Sequence, residues 1–486
     1  MFKISFVAAA VAAALGTGAV LADTPTLATI QAALPVAQGG NGSAKQVFIA
    51  GSSAAKGAIQ AYIKTNYCGG SMSTFTSNNP PTSIPDFNVW ACTVTAGPAA
   101  ILGSLTLFHY RAEGGSVVGV YPVIGNKAIK FLDLSPANTT CPAGTAVTCT
   151  VAGTSAANGS NDSWGPAGVS GSGVANSAPN AAPDLGVSDL EMDAFVGNNS
   201  PYVAPPPAGY APGTFGPAQT QAALAAFPHH VLFQQTFGIV VNNGITQTNL
   251  SKQAVANILN GNYVDWSSVP DANVATPGAT VKAASTPIFV CNREVGSGTR
   301  TSAAIFFLGD HCTPGSASIS EGATSVAPVV NDNYSTSEAL TCVKGNGAAN
   351  GAGVPAGNLA ITYASVDNNT AAKLGGLAHF VSIDGVAPTN YNTAIGAYGY
   401  TFEATGQVNA SSGNAAGIAV GNALISGVQP VASAPQSLQV NAIPGTGGNS
   451  ATNAPLTAVG ATPIYISDFY RSGTTGNSCA ALTEAN

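Results

Sequence analysis

Ionisable side chains are scarce in this chain of 486 residues. Lys and Arg number 14 and Asp and Glu 21, so charged residues make up 7% of the sequence, against about a quarter in ordinary globular chains. That scarcity excludes a nucleic-acid partner, because phosphate backbones are held by basic stripes. A net charge of −7 argues equally against anionic membrane surfaces. It leaves a small anion open as a ligand, since local donors and helix dipoles outweigh a weak global field. No run beyond the N-terminal segment is long and apolar enough to span a bilayer, so no membrane insertion of the mature chain is expected.

Signals for catalysis are missing too. There are 5 His, and no cluster of them with carboxylates has ligand spacing. His229-His230 is a tempting pair, but adjacent residues point apart on a strand. No Gly-x-Ser-x-Gly elbow surrounds Ser297, and no base partner for it is evident. No catalytic residue, metal ligand or cofactor is expected, and the chain is not read as an enzyme.

What is present points to export. Lys3, the apolar stretch 4–15 and Val20-Leu21-Ala22 before Asp23 form a cleavable signal peptide over residues 1–22. No cysteine follows the cleavage point for lipid attachment, so a soluble periplasmic or secreted protein is expected. The eight cysteines have spacings that fit no zinc pattern, and an even count in an exported chain favours disulfides. Closure of the shortest loops favours Cys68–Cys92, Cys141–Cys149 and Cys291–Cys312, leaving Cys342–Cys479.

Along the chain, residues 23–44 read as a loose lead-in. Gln46–Ala50 reads as a strand, followed by Gly51-Ser52-Ser53 and a helix with Ala55, Ile59, Tyr62 and Ile63 on one face. Leu105–Tyr110 is a second strand, running into a glycine and hydroxyl loop that ends at Ser116. Residues 134–183 read as an inserted surface loop pinned by Cys141–Cys149, and 200–217 as a Pro-rich segment. Val231–Val241 is β-prone and long enough to cross between domains. A helix within Thr248–Trp266 is capped by Ser251 and stopped by Gly261. Ala360–Ala364 is a further strand, and 405–460 is lightly patterned. Strands alternating with helices indicate an α/β chain with mixed or mostly parallel sheets.

The stretch Thr286–Leu308 organises the rest. Ile288, Phe289 and Val290 form a buried strand, Arg293 to Thr299 a polar glycine-bearing loop, and Arg300 to Leu308 an apolar helix closing at Gly309. The first N–H groups of a helix lack partners and sit at the positive end of its dipole. Gly296 and Gly298 let a ligand approach the backbone, Ser297 and Thr299 add hydroxyls, and Arg293 adds a fork of donors suited to an oxyanion. Ser and Thr stand before helices for ordinary capping as well. Three other segments could meet the same anion: Ser52/Ser53, Ser116 and Asp189. A carboxylate only accepts hydrogen bonds, so Asp189 fits a ligand that carries a proton, phosphate rather than sulfate. Arg471-Ser-Gly-Thr-Thr475 imitates the main motif without a following helix and reads as a decoy loop.

Taken together, the blocks FIAGSSA, GVSDLEMD, TFGIVVN, NILNGNYVDWSSV, NREVGSGTR and AITYASVD resemble, in order, the phosphate-binding proteins of bacterial phosphate ABC transporters and their secreted DING-type relatives. These are type II periplasmic binding proteins. The resemblance implies two α/β lobes with mixed sheets flanked by helices, joined by two hinge strands and closing on phosphate. Lobe I would take 23–236 and 402–486, and lobe II 237–401. The implied ligand shell is Ser53, Ala54, Ser116, Asp189, Arg293, Ser297, Gly298 and Thr299. Inorganic phosphate or a related oxyanion is the implied ligand and an ABC transporter permease the implied protein partner. Three departures stand out. Val295 replaces an acidic residue and removes an acceptor; Pro122 should break the helix expected after Ser116; and the insertions are atypical of a transport subunit. The alternative is a secreted surface or matrix protein that keeps the fold with a drifted site.

Overall fold

The run Val47-Phe48-Ile49 is buried within strand β1 (Lys45–Gly51), and a mixed sheet extends from both its edges. This computed structural model describes residues 24–78, 87–112, 114–136, 148–152, 180–200, 218–313, 315–320, 329–333, 335–345, 354, 358–428, 438–440, 456–459, 462–467, 469–471 and 478–484. The residues read as a signal peptide, most of the insertion including Cys141, and the Pro-rich segment 201–217 lie outside the described residues; within the insertion, Thr148–Ala152 is not loop but a strand, parallel to Ser73–Asn78 at the sheet edge.

Strands β2 (Ser73–Asn78) and β3 (Phe87–Thr93) are antiparallel, and β4 (Leu105–Arg111) joins β3 to β1, running parallel to β1. On the other side of β1 lies β5 (Leu185–Ser188), also parallel. The apolar run 231–241 becomes one long strand, β6 (His230–Asn242). Strand β7 (Ile288–Arg293) sits between two parallel neighbours, β8 (Val329–Asn333) and β9 (Leu359–Ser365). The set is completed by β10 (Ala378–Ile383) and β11 (Thr401–Val408).

Strand β6 changes partners midway. Residues His230 to Thr236 pair antiparallel with β11, and from Phe237 onward the strand pairs antiparallel with β9 and β10. The parallel group β1, β4, β5 and the parallel group β7, β8, β9 are thus connected through β6 and β11. The two groups present the C-terminal ends of β1, β5 and β7, with their following turns, to one another.

The helices correct the sequence reading in places. Residues 23–44 hold a helix, α1 (Leu27–Ala33), capped by Thr26, with Ile30 and Leu34 packed on Phe75 and Leu132. Helix α2 (Lys56–Asn66) follows β1 and buries Ile59, Tyr62 and Ile63 as their spacing predicts. After Ser116 a helix does form, α3 (Ser116–Ile124), and it runs through Pro122. The proline removes one intrahelical donor, but residues Ser116 to Val123 are all buried, and that packing outweighs the lost bond. Helix α4 (Lys252–Leu259) has the expected Ser251 cap, accepting from Ala254 N at 3.1 Å. Helix α5 (Gly298–Ala303) passes into a wider π-helical turn over Ala304–Leu308, closed by Gly309 at φ 67°. Helix α6 (Thr336–Val343) follows β8. The stretch 405–460, read as lightly patterned, contains the second half of β11 and helix α7 (Ala415–Val428), whose Val420 and Leu424 are buried.

Two disulfides differ from the shortest-loop expectation. Cys68–Cys92 forms as expected, but the other described pairs are Cys291–Cys342 and Cys312–Cys479. Cys291 lies on β7, and the helix packed against that strand is α6, which carries Cys342. Packing in the folded chain decides the pairing; loop length weighs only on the unfolded one.

Candidate functional site

The site grows from the turns behind β1, β5 and β7. β1 ends at Gly51, with φ 131°, where a Cβ would fall 1.8 Å from Val187 O. This close approach sets Ser52 beside β5: Ser52 N donates to Val187 O at 2.8 Å, and Tyr110 OH donates to Ser52 O at 2.6 Å. Asp189 follows β5 directly. Ser52 Oγ donates to Asp189 Oδ1, Thr299 Oγ1 donates to Asp189 Oδ2 at 3.1 Å, and Asp189 N donates to Ser116 Oγ at 3.0 Å. Every turn singled out from the sequence therefore reaches Asp189 or its neighbour.

Two turns meet directly. Val117 N, in the first turn of α3, donates to Gly296 O at 3.0 Å. A Cβ on Gly298 would lie 2.2 Å from Ser116 Oγ and 2.7 Å from Asp189 Cβ. Glycine is needed at 298 because the opposing turn occupies the space a side chain would take. Ser297 Oγ accepts from Arg300 N at 3.4 Å and so does cap α5, the ordinary role considered for it.

Arg293, the last residue of β7, is fully buried. Its Nε donates to Asn333 O at 3.0 Å, and Nη1 donates to Thr336 Oγ1 at 3.0 Å and to Ser53 Oγ at 3.4 Å. Nη2 donates to Glu294 Oε1 at 3.1 Å, closing a buried ion pair. Ser53 Oγ and Thr336 Oγ1 lie 3.1 Å apart. Ser53 is only part-buried, whereas Ser52, Ser116, Asp189, Arg293, Ser297, Gly298 and Thr299 are buried, so solvent comes nearest at Ser53. Ala54 is buried in the same turn.

Burial pushes the Asp189 carboxyl above its ordinary range, against the hydrogen bond from Ser52 and the charge of Arg293. Burial raises Glu294 as well, opposed first by Arg293. Both carboxyls feel the charge of the same guanidinium, Arg293.

All eight residues proposed from sequence fall in this region. Sequence reasoning missed Glu294, Thr336 and the direct role of Ser52. Val295 is indeed buried and apolar, but a carboxylate enters from the adjacent position, Glu294. Its signal was the Arg-Glu pair itself in NREVGSGTR. Thr336 drew no reading from the sequence; in the structure it opens α6, which Ser335 caps by accepting from Glu338 N at 3.2 Å. Arg471 lies elsewhere, as the decoy reading expects. Its guanidinium donates to Gly399 O at 2.9 Å and Thr401 O at 3.0 Å and covers the Phe402 ring at 4.5 Å.

No protein-family model matches the chain, and no curated protein matches it. Among solved structures it is similar to a Clostridium perfringens protein described as a phosphate ABC transporter substrate-binding protein with bound phosphate. Identity there is 12% and the TM-score 0.39, over 79% of this chain and 92% of that one. It is similar to an ABC-type phosphate transport receptor from Vibrio cholerae at 17% identity and TM-score 0.29, over 50% of this chain and 74% of that one. It is also similar to a DING protein at 21% identity and TM-score 0.24, over 36% of this chain and 49% of that one.

Proposed function

We propose that this chain is an extracytoplasmic solute-binding protein that captures phosphate, or a similar protonated oxyanion, between two lobes without reacting with it. The observation that carries this reading is the buried Arg293 guanidinium, shared by the Ser53 and Thr336 hydroxyls, close to the buried carboxylate Asp189 through the common turns. A guanidinium with convergent hydroxyls suits an oxyanion. A carboxylate beside it selects an oxyanion that can donate a hydrogen bond. The ligand shell is Ser53, Ala54, Ser116, Asp189, Arg293, Ser297, Gly298 and Thr299, to which Thr336 is added.

The lobes are residues 23–236 with 402–486, and 237–401. The change of partner along β6 between Thr236 and Phe237 supports that boundary. An ABC transporter permease is the partner that such a receptor would serve, in the periplasm or outside the cell.

A second reading, a secreted surface or matrix protein with a drifted site, draws support from the 7% of charged residues. Calorimetry of the purified protein with phosphate, arsenate and sulfate separates the two. The receptor reading expects binding of phosphate and arsenate and rejection of sulfate. No heat with any of the three anions favours the scaffold.

A further inference from the structure

The side chains of His311, Cys312 and Cys479 bring one imidazole and two sulfurs within 4.8 Å of one another, and none of the three belongs to the anion site described above. Cys312 and Cys479 are joined as a disulfide across a separation of 167 residues. His311 Nε2 stands 3.4 Å from Cys479 Sγ and 3.9 Å from Cys312 Sγ. The two other described disulfides are sealed, with all four of their cysteines fully buried, whereas Cys479 is exposed and Cys312 part-buried. A reductant therefore meets Cys479 first.

We propose that reduction of Cys312–Cys479 converts this crosslink into a binding site for a soft divalent cation such as zinc, with His311, Cys312 and Cys479 as ligands. The thiolate of an external dithiol attacks Cys479 Sγ. The disulfide bond breaks, and Cys312 leaves as a thiolate. The second thiol of the reductant then attacks its own mixed-disulfide sulfur, releasing Cys479. Two electrons pass to the protein pair, the reductant closes into a disulfide, and its protons go to the buffer. The two protein thiolates take up the cation.

The distances favour this outcome. With bonds of about 2.3 Å to sulfur and 2.0–2.1 Å to nitrogen, a tetrahedral zinc separates its sulfur and nitrogen ligands by about 3.6 Å. The observed 3.4 and 3.9 Å straddle that value without moving the imidazole. The sulfurs must part to about 3.8 Å, a side-chain rotation across a Cα separation of 5.3 Å. Asp193 and Asp310 act electrostatically on His311, so the surroundings are anionic and suit a dication. His311 adopts a left-handed backbone, φ 53°. Cys479 adjoins Ser478, whose N and Oγ both donate to Glu191. The cation would take over the tie between this segment and the turn after α5 once the covalent bond is gone.

The test is independent of phosphate binding. The full chain is treated with graded dithiothreitol, freed of it under argon, and checked by circular dichroism and thiol labelling. Cys312 and Cys479 should label first, and the reduced protein should bind one zinc per chain while the oxidised protein binds none. Cobalt should give thiolate charge-transfer bands. His311→Asn, which tolerates the left-handed backbone, should weaken zinc binding at least tenfold with the fold retained. The double variant Cys312→Ser, Cys479→Ser should bind none. Failure of the folded, reduced protein to bind zinc, or unchanged affinity in His311→Asn, overturns the proposal.

Discussion

Arg293 Nη1 donates to Thr336 Oγ1 across 3.0 Å, joining the end of β7 to the first turn of α6. The same nitrogen reaches Ser53 Oγ at 3.4 Å. One buried cation thus links hydroxyls from two distant parts of the chain. A charge-assisted hydrogen bond is worth roughly 1.5–3 kcal/mol. Arg293→Ala should weaken phosphate binding at least tenfold, and Thr336→Val by a smaller factor, with the fold kept in Thr336→Val. Calorimetry reads both; wild-type affinity in Arg293→Ala would place the site elsewhere.

On the proposed reading, ligand choice turns on Asp189. Facing sulfate, its carboxylate would be an unpaired like charge in a buried site. Asp189→Asn puts an amide there, which donates as well as accepts. Discrimination against sulfate should fall in the variant when both anions are titrated into both proteins. Equal sulfate and phosphate affinities in the wild type would remove Asp189 from the site.

Gly298 gives a steric test. An added methyl would meet Ser116 Oγ at 2.2 Å, and that oxygen can move only by leaving Asp189 N. Overpacking of this kind costs about 1–3 kcal/mol. Gly298→Ala should lower the urea midpoint and weaken phosphate binding together. Gly57→Ala, in open space on α2, is the control and should do neither.

Glu191 predicts how stability follows pH. Burial pushes its carboxyl up to about 7, against the pull of the Ser478 hydrogen bonds. The folded chain then keeps a proton that the unfolded chain releases near its ordinary 4.5. Stability contributed by this group falls as pH rises from about 4.5 to 7 and is flat above, a loss of roughly 3 kcal/mol. Asp184, pushed to about 6 by burial, acts in the same direction. The wild-type urea midpoint should drop between pH 5 and 8, and Glu191→Gln should drop less. Parallel curves for the two proteins would remove Glu191 as a cause.

The cysteines should all be oxidised in the exported protein. Mass spectrometry of unreduced, alkylated chain should find no labelled cysteine, and two or more would contradict full pairing. Removing Cys291–Cys342 should cost on the order of 2–5 kcal/mol.

Much of this was legible in the sequence because strand–turn–helix units announce themselves locally. Val47-Phe48-Ile49 and Ile288-Phe289-Val290 are β-branched and aromatic runs stopped by glycine and serine, and the turns after them fall at the site. What was hidden depends on packing between distant segments. Pro122 reads as a helix breaker until the burial around α3 is known. Cys291 reads as a partner of Cys312 until α6 is found lying on β7. Thr336 has no motif around it, and nothing in its neighbourhood announces Arg293. Glu294 stands beside Arg293 in the sequence, but its pairing with that guanidinium follows only from the burial of both.

The Cys291–Cys342 bridge has a mechanical consequence. Cys291 precedes Arg293 on β7, and Cys342 follows Thr336 on α6, so a covalent clasp binds the strand and helix that carry them. Arg293 and Thr336 are thereby tied to one unit. On the proposed reading, an opening that admits an anion would leave their 3.0 Å contact whole and part Ser53 from the pair, across the longer 3.4 Å contact. The mouth of the proposed cleft would then run past Ser53, and an entering anion would meet a guanidinium already aimed, with little ordering left to oppose its capture.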